Sequence, residues 1–199
     1  RLGLYQSCVT AGRIAATASL SDLAAVGADP FGLLLSVCLP LEGRDAAQRD
    51  VAEGVAHACR AAGTFVLGGD TGEGETLRVS CVGAGSVPTG LAMRRIGLAP
   101  GDTLFASGLL GAGAGLAAVR FLDLPPQLFP EDAFAPPPRI REGRALRGLA
   151  SACMDTSDGL VATLDQLSRL NEVRLSIDAE LESLLAPRAL QVAQALGLP

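Results

Sequence analysis

An α+β half followed by an α/β half is the fold class this sequence predicts, and three observations predict it. Apolar residues recur at three- and four-residue steps in several segments, and apolar or alternating runs of strand length lie between them. Glycines gather at the junctions, at Gly68-Gly69, along residues 108–115 and at Gly159. Hydrophobic residues fill 49% of the 199 positions, enough for a well-formed core. The first half runs to about Val87 and the second begins at about Gly101. Residues 1–99 and 100–199 are therefore taken as the two domains.

Residues 10–26 read as a helix, with Ile14, Ala18, Leu20 and Leu23 at helical steps and Gly27 and Pro30 as the stop. Asp22 lies on this helix one turn from Ser19, beside Leu20, Leu23 and Ala24. A charge there is odd if the segment is buried, and ordinary if it faces water. Residues 31–39 look too apolar for a half-exposed strand and are expected to be buried. A turn at 42–45 leads to a helix over 46–62, whose apolar face carries Val51, Val55, Ala58 and Cys59. His57 lies off that face and belongs at the surface. A short strand at 64–67 ends in Gly68-Gly69-Asp70-Thr71-Gly72, and the alternating residues 75–87 follow in hairpin fashion. Glycines at a strand tip let backbone amides approach a ligand, and a carboxylate there can hold a metal. The same residues also suit a plain turn.

Residues 88–100 connect the halves and carry Arg94 and Arg95, an arrangement that suits solvent or phosphate oxygens. Residues 103–107 read as a buried strand, and the glycine run 108–115 leads into a helix reaching about Leu122. That run is neither a Walker A loop nor GxGxxG. Anion binding at a helix N-terminus and close helix packing explain it equally well. Residues 124–138 hold six of the twelve prolines and read as an extended surface connector. A helix at 141–149 and a strand at 149–154 then feed the turn Asp155-Thr156-Ser157-Asp158-Gly159-Leu160. A helix at 159–171, a strand at 173–178 and a helix at 187–196 with proline near its start complete the pattern.

Composition narrows the chemistry. All 16 basic residues are arginine, which removes a Walker A lysine, a Schiff-base lysine and a Ser-Lys dyad. A single histidine argues against a Ser-His-Asp triad. The five cysteines form no CxxC pair and sit mostly in apolar runs, as reduced thiols of a cytoplasmic protein do. A net charge of −5 argues against nucleic acid or an anionic membrane as partner. No apolar run reaches transmembrane length, and the N-terminus shows no signal-peptide pattern. Carboxylates, hydroxyls, arginine and backbone amides are left to do the work.

Asp155 and Asp158 lie three residues apart on the same turn, and like charges so close repel each other. A divalent cation bridging to a phosphate relieves that repulsion, because hard cations prefer carboxylate oxygens. The plainer alternative is that Ser157 or Asp158 caps the following helix.

Three segments in order, Ser19-Leu20-Ser21-Asp22-Leu23-Ala24-Ala25-Val26-Gly27-Ala28, Gly68-Gly69-Asp70-Thr71 and Asp155-Thr156-Ser157-Asp158-Gly159-Leu160, resemble the thiamine-monophosphate kinase family. That family lies in the superfamily of aminoimidazole ribonucleotide synthetase and selenophosphate synthetase. Residues 88–95, Pro100-Gly101-Asp102 and Pro138-Arg139-Ile140 extend the likeness over nearly the whole chain. The resemblance implies an aminoimidazole ribonucleotide synthetase-like fold, with an ATP-binding-type first half built on a mixed or antiparallel sheet. It implies Mg2+ ligands at Asp22, Asp70, Asp155 and Asp158, and ATP contacts at Gly69, Asp70, Arg95 and Ser157. The implied reaction transfers the γ-phosphoryl of ATP to thiamine monophosphate, giving thiamine diphosphate, in a cytoplasmic homodimer that binds neither nucleic acid nor membrane. Another ATP-using synthetase of the superfamily, or a non-catalytic paralogue or scaffold, are the alternatives. Ser19 departs from the family's usual Asn, and the glycine run lacks the usual Asp. The family's first acidic strands are expected before residue 1, and its Gly-Gly-Glu-Asp segment beyond Pro199.

Overall fold

The computed structural model describes residues 3–198. In chain order the elements are α1 (Cys8–Ala25), β1 (Asp29–Pro40), α2 (Arg44–Ala62), β2 (Val66–Gly74), β3 (Arg78–Ser86), α3 (Ala112–Phe121), α4 (Ile140–Ala145), α5 (Leu160–Asn171) and α6 (Pro187–Ala195). Single 3-10 turns occur at Glu131–Ala133 and Leu181–Leu184. The chain divides into two compact units. The first joins Tyr5–Arg94 to Pro136–Asp155, and the second joins residues 3–4, 95–135 and 156–198.

The first unit packs α1, α2 and α4 with a three-stranded mixed sheet of order β2-β1-β3. Ser7 caps α1, its hydroxyl accepting the Thr10 N–H at 3.3 Å. At the other end Gly27, at φ 73°, turns the chain out, and the Ala28 N–H reaches back to the Leu23 carbonyl at 2.8 Å. Helices α1 and α2 touch backbone to backbone. A Cβ added at Gly12 would lie 2.4 Å from the Val51 oxygen, and one at Gly54 would lie 2.0 Å from the Val9 oxygen. Ala16, Leu20, Val51, Val55, Ala58 and Cys59 close over Leu33 of β1, with Ile140 of α4 sealing the cluster.

Two expectations for this unit need correction. Residues 31–39 do form a strand, but it is not buried throughout. The helices cover one face, against which Leu35, Val37, Val79 and Cys81 pack, while Phe31 (55% exposed) and Leu34 (48%) stand uncovered. Nor do β2 and β3 form a hairpin. Central β1 separates them, pairing parallel with β2 and antiparallel with β3. The α2 crossover makes the β1–β2 pair parallel, as a helical connection does. The short link 75–77 passes the end of β1, a step of two strand spacings, or about 10 Å, that a few extended residues span.

Docking of α4 on the corner between α1 and β1 completes this unit. Gly143 lets its backbone approach the Ala24 carbonyl, where a Cβ would come within 2.2 Å. Asp29 binds Arg144 at 2.5 Å and Arg147 at 2.7 Å, and the Arg147 Nε–H donates to the Gly27 carbonyl.

In the second unit α3 packs on α6 around Leu116, Val119, Ala189 and Val192. Gly111 and Gly115 serve this contact, since a Cβ at Gly115 would meet Phe129 at 3.1 Å and the Ala189 backbone at 3.3 Å. The packing reading of the glycine run therefore holds for these two positions. The connector 124–138 is largely exposed but buries Phe129. Helices over Ala112–Phe121, Leu160–Asn171 and Pro187–Ala195 match expectation, whereas that at 141–149 is helical only over Ile140–Ala145.

The strands expected at 103–107, 149–154 and 173–178 are absent. These segments are irregular, and Phe105 is 86% exposed and Leu149 79%. Outside the sheet, one bridge joins Leu110 to Leu185 among the described residues. An apolar run becomes a strand only when a neighbour takes up its amides and carbonyls. None of the three finds such a ladder.

Candidate functional site

Asp22 sits near the end of α1 and is exposed. One turn earlier the Ser19 hydroxyl donates to the Cys81 carbonyl at 2.8 Å, tying α1 to β3. That bond, together with the bare Cα of Gly83 against the Ser19 carbonyl, holds the helix close to the strand.

Asp70 lies in the middle of β2 rather than at a strand tip, because the strand runs on to Gly74. It stands opposite Ser36 on β1, and Ser36 stands opposite Ser80 on β3. The three exposed residues form a polar row on the sheet face away from the helices. Gly69 is beside it. A Cβ there would lie 2.2 Å from the Leu35 carbonyl oxygen, so the close approach that requires glycine is to β1.

Asp155, half-buried, ends the segment that leaves α4. The segment is anchored by the Cys153 N–H, which donates to the Arg94 carbonyl at 2.9 Å. Burial pushes the Cys153 thiol pKa up, and the nearby Asp155 carboxylate adds to it. Thus Asp22, Gly69, Asp70 and Asp155 belong to the first unit.

Ser157, Asp158 and Arg95 belong to the second. Ser157 and Asp158 are exposed on the turn that the Gly159 N–H closes on the Thr156 carbonyl at 2.9 Å. Gly159 itself occupies the N-cap position of α5, so neither Ser157 nor Asp158 stands there. The turn joins an irregular segment to the helix instead of a strand to the helix.

Arg95 is fastened to α5 at two points that sequence reasoning missed. Its Nη1 donates to Gln166 Oε1 at 3.1 Å, and its carbonyl accepts from Asn171 Nδ2 at 2.9 Å. Asn171 Oδ1 also accepts the N–H groups of Gly97 (2.7 Å) and Leu98 (3.0 Å). The only sequence cue was a polar Asn at the end of an amphipathic helix, which usually reads as a cap.

Among the described residues no three His, Cys, Asp or Glu side chains gather to hold a metal ion unaided. The donors at 22, 70, 155 and 158 are all carboxylates, the hard oxygens magnesium prefers. Magnesium usually takes one or two carboxylates together with substrate phosphates rather than a dedicated protein cage. As donor chemistry, carboxylates of this kind suit magnesium that arrives with a nucleotide.

Comparison with known proteins finds relatives in the family that the motifs resemble. Residues 4–87 match the family described as AIR synthase related protein, N-terminal domain. Thiamine-monophosphate kinase of Escherichia coli K12 is 34% identical over 174 residues, which are 82% of this chain and 51% of that protein. The crystal structure of thiamine monophosphate kinase from Aquifex aeolicus superposes with a TM-score of 0.82 at 26% identity, covering 98% of this chain and 67% of that one. A structure of AaThiL complexed with AMPPCP and TMP superposes at 0.83 with 26% identity, covering 98% and 64%. The chain spans about half the length of the curated relatives it matches. The resemblance to thiamine-monophosphate kinases and the fold class expected from it are borne out.

Proposed function

We propose, on the premise that this chain belongs by its residues 4–87 to the AIR synthase related proteins, that its protein phosphorylates thiamine monophosphate with ATP, giving thiamine diphosphate. The observation that carries this reading is the turn Asp155-Thr156-Ser157-Asp158-Gly159-Leu160 in a chain 34% identical to a thiamine-monophosphate kinase. The AMPPCP and TMP bound by the similar structure support both substrates. Another synthetase and a non-catalytic scaffold are not favoured by these likenesses.

Joining two phosphate groups calls for neutralised charge and alignment more than for a nucleophilic side chain. Asp22, Asp70, Asp155 and Asp158 would hold magnesium, which when bound offsets the charge of the phosphates. Arg95 offers its guanidinium fork to phosphate oxygens. Ser157 offers a hydroxyl and Gly69 a backbone without side-chain bulk to the nucleotide. With neither lysine nor a second histidine in the chain, alignment rests on these groups.

Two further parts of the reading concern setting. The sheet face left open by the helices, with Phe31, Leu34 and Val82 exposed, supports a homodimer formed through the strands. All five cysteines are free thiols, which supports a reducing cytoplasm. No helix of the described residues is long and apolar enough to cross a membrane.

The test is a phosphoryl-transfer assay on the protein, with thiamine monophosphate, ATP and magnesium. Thiamine diphosphate should form, and its formation should stop when any of the three is left out. A folded protein that yields none sinks the assignment.

A further inference from the structure

We propose that Asn171 and Gln166 are positioning residues that hold Arg95 ready for the phosphates of a nucleoside triphosphate, setting affinity without touching the ligand. This rests on the assignment of Arg95 to nucleotide binding made above.

The geometry is specific to asparagine. Its side chain has one amide donor group with two hydrogens and one oxygen with two lone pairs. Here all four are engaged. The oxygen accepts from Gly97 (2.7 Å) and Leu98 (3.0 Å), and the nitrogen donates to the carbonyls of Arg95 (2.9 Å) and Leu167 (2.8 Å). Aspartate has no donor to offer the two carbonyls, and serine has too few groups. Asn171 thereby joins the last turn of α5 to three residues of the segment that begins at Arg95.

Gln166 holds the other end of the same residue, accepting from the Arg95 guanidinium at 3.1 Å. Arg95 is thus gripped by backbone and side chain, both times from one helix. The helix is the one whose first turn follows Ser157 and Asp158. Gln166 lies seven residues past Gly159, or about 10 Å along the axis at the α-helical rise. That span suits a polyphosphate lying between the turn and the guanidinium. The end of α5 is itself held in an uncommon shape. Glu172 takes the left-handed conformation at φ 54°, and the Val173 N–H closes on the Ser168 carbonyl at 3.2 Å. The helix therefore stops with Asn171 as its last residue, beside the 95–98 segment.

An arginine side chain has many rotamers, and ordering it on binding weakens affinity. A side chain ordered beforehand avoids that loss.

Titration calorimetry with magnesium and AMPPCP tests this on wild type, Arg95→Ala, Asn171→Ala, Gln166→Ala and the double variant Arg95→Ala/Asn171→Ala. Asn171→Ala should weaken binding about tenfold, and Gln166→Ala several-fold, the scale expected for lost pre-organisation. The double variant should bind no more weakly than Arg95→Ala alone, because Asn171 acts through Arg95. Amide exchange at Gly97 and Leu98 should quicken in Asn171→Ala, and Asn171→Asp, which keeps the acceptor, should restore protection there but not full affinity. Additive losses in the double variant, or wild-type affinity in Asn171→Ala with its amides unprotected, overturn the positioning role while leaving the kinase reading standing. Wild type that binds no magnesium–nucleotide overturns both. Should Asn171→Ala not fold, Gln166→Ala decides by the same cycle with Arg95→Ala.

Discussion

A bare Cα at position 69 is a steric requirement, since any Cβ would lie 2.2 Å from the Leu35 carbonyl oxygen in the neighbouring strand. Three residues on, Gly72 has nothing within 4 Å of the same position. Gly69→Ala should therefore cost the first unit more than about 2 kcal/mol, as overpacking against backbone does. Gly72→Ala should be neutral or stabilise by up to about 1 kcal/mol, by removing a flexible residue from a strand. Denaturant melts of the two variants give the comparison, and equal melts would mean that β2 shifts to make room. The roles proposed for Asp70 and Asp155 rest on charge. Asp70→Asn and Asp155→Asn should abolish magnesium-dependent nucleotide binding, while the exposed Asp70 should change stability by no more than about 0.5 kcal/mol. Unchanged affinity by calorimetry in both variants would remove the carboxylates from the proposed site. The sequence made the aspartates visible as charges in apolar or glycine-rich surroundings. It left Asn171 invisible, because its four partners lie at residues 95, 97, 98 and 167, and only the fold brings the first three to it.

Among the elements, α4 is tied to the start of β1 by an ion cluster of Asp29, Arg144 and Arg147. Hydrogen bonding from Arg147, reinforced by the charges of Arg144 and Arg147, holds the Asp29 carboxyl below its ordinary pKa. A depressed folded-state pKa adds stability above the unfolded value, near 3.9, and that stability is lost as pH falls through the folded value. Docking of α4 should thus weaken in acid below about pH 4. Glu142, lowered by its bond to Arg139, adds to the same window. Asp29→Asn should lower stability at neutral pH and flatten the acid limb of a melting-temperature profile. A parallel profile would show that other carboxylates carry the acid lability. Helix α5 offers the converse case, for Glu172 sits at φ 54° where glycine is at ease. Glu172→Gly should stabilise the second unit by about 0.5–1 kcal/mol if relief of strain outweighs the added freedom of the unfolded chain. Helices were the legible elements, because their periodicity and stops are local. Strands were legible only where a ladder formed.

At the scale of the molecule, the uncovered sheet face is where the proposed homodimer would form. Phe31, Leu34 and Val82, the last 63% exposed, flank the polar row Ser36, Asp70 and Ser80. If the homodimer uses this face, Val82→Glu should shift sedimentation to that of a monomer with little change in the melting of the first unit. A monomeric wild type would remove the dimer from the proposal. The hairpin expectation failed at this scale as well. Residues 66–74 and 78–86 are close in sequence and strand-like in pattern, yet each found its ladder on β1.

What the sequence determined by itself is whatever rests on neighbours along the chain: the helices and their stops, the acidic turn before α5, the want of lysine, and the family motifs. What only the tertiary structure decided rests on groups distant in sequence. That includes the order β2-β1-β3, the failure of three apolar runs to become strands, the backbone contact that makes Gly69 a glycine, and the clasp on Arg95. The reason is that a helix satisfies its own amides within four residues, whereas a strand, a close backbone contact and a side-chain clasp each need a partner that folding must supply.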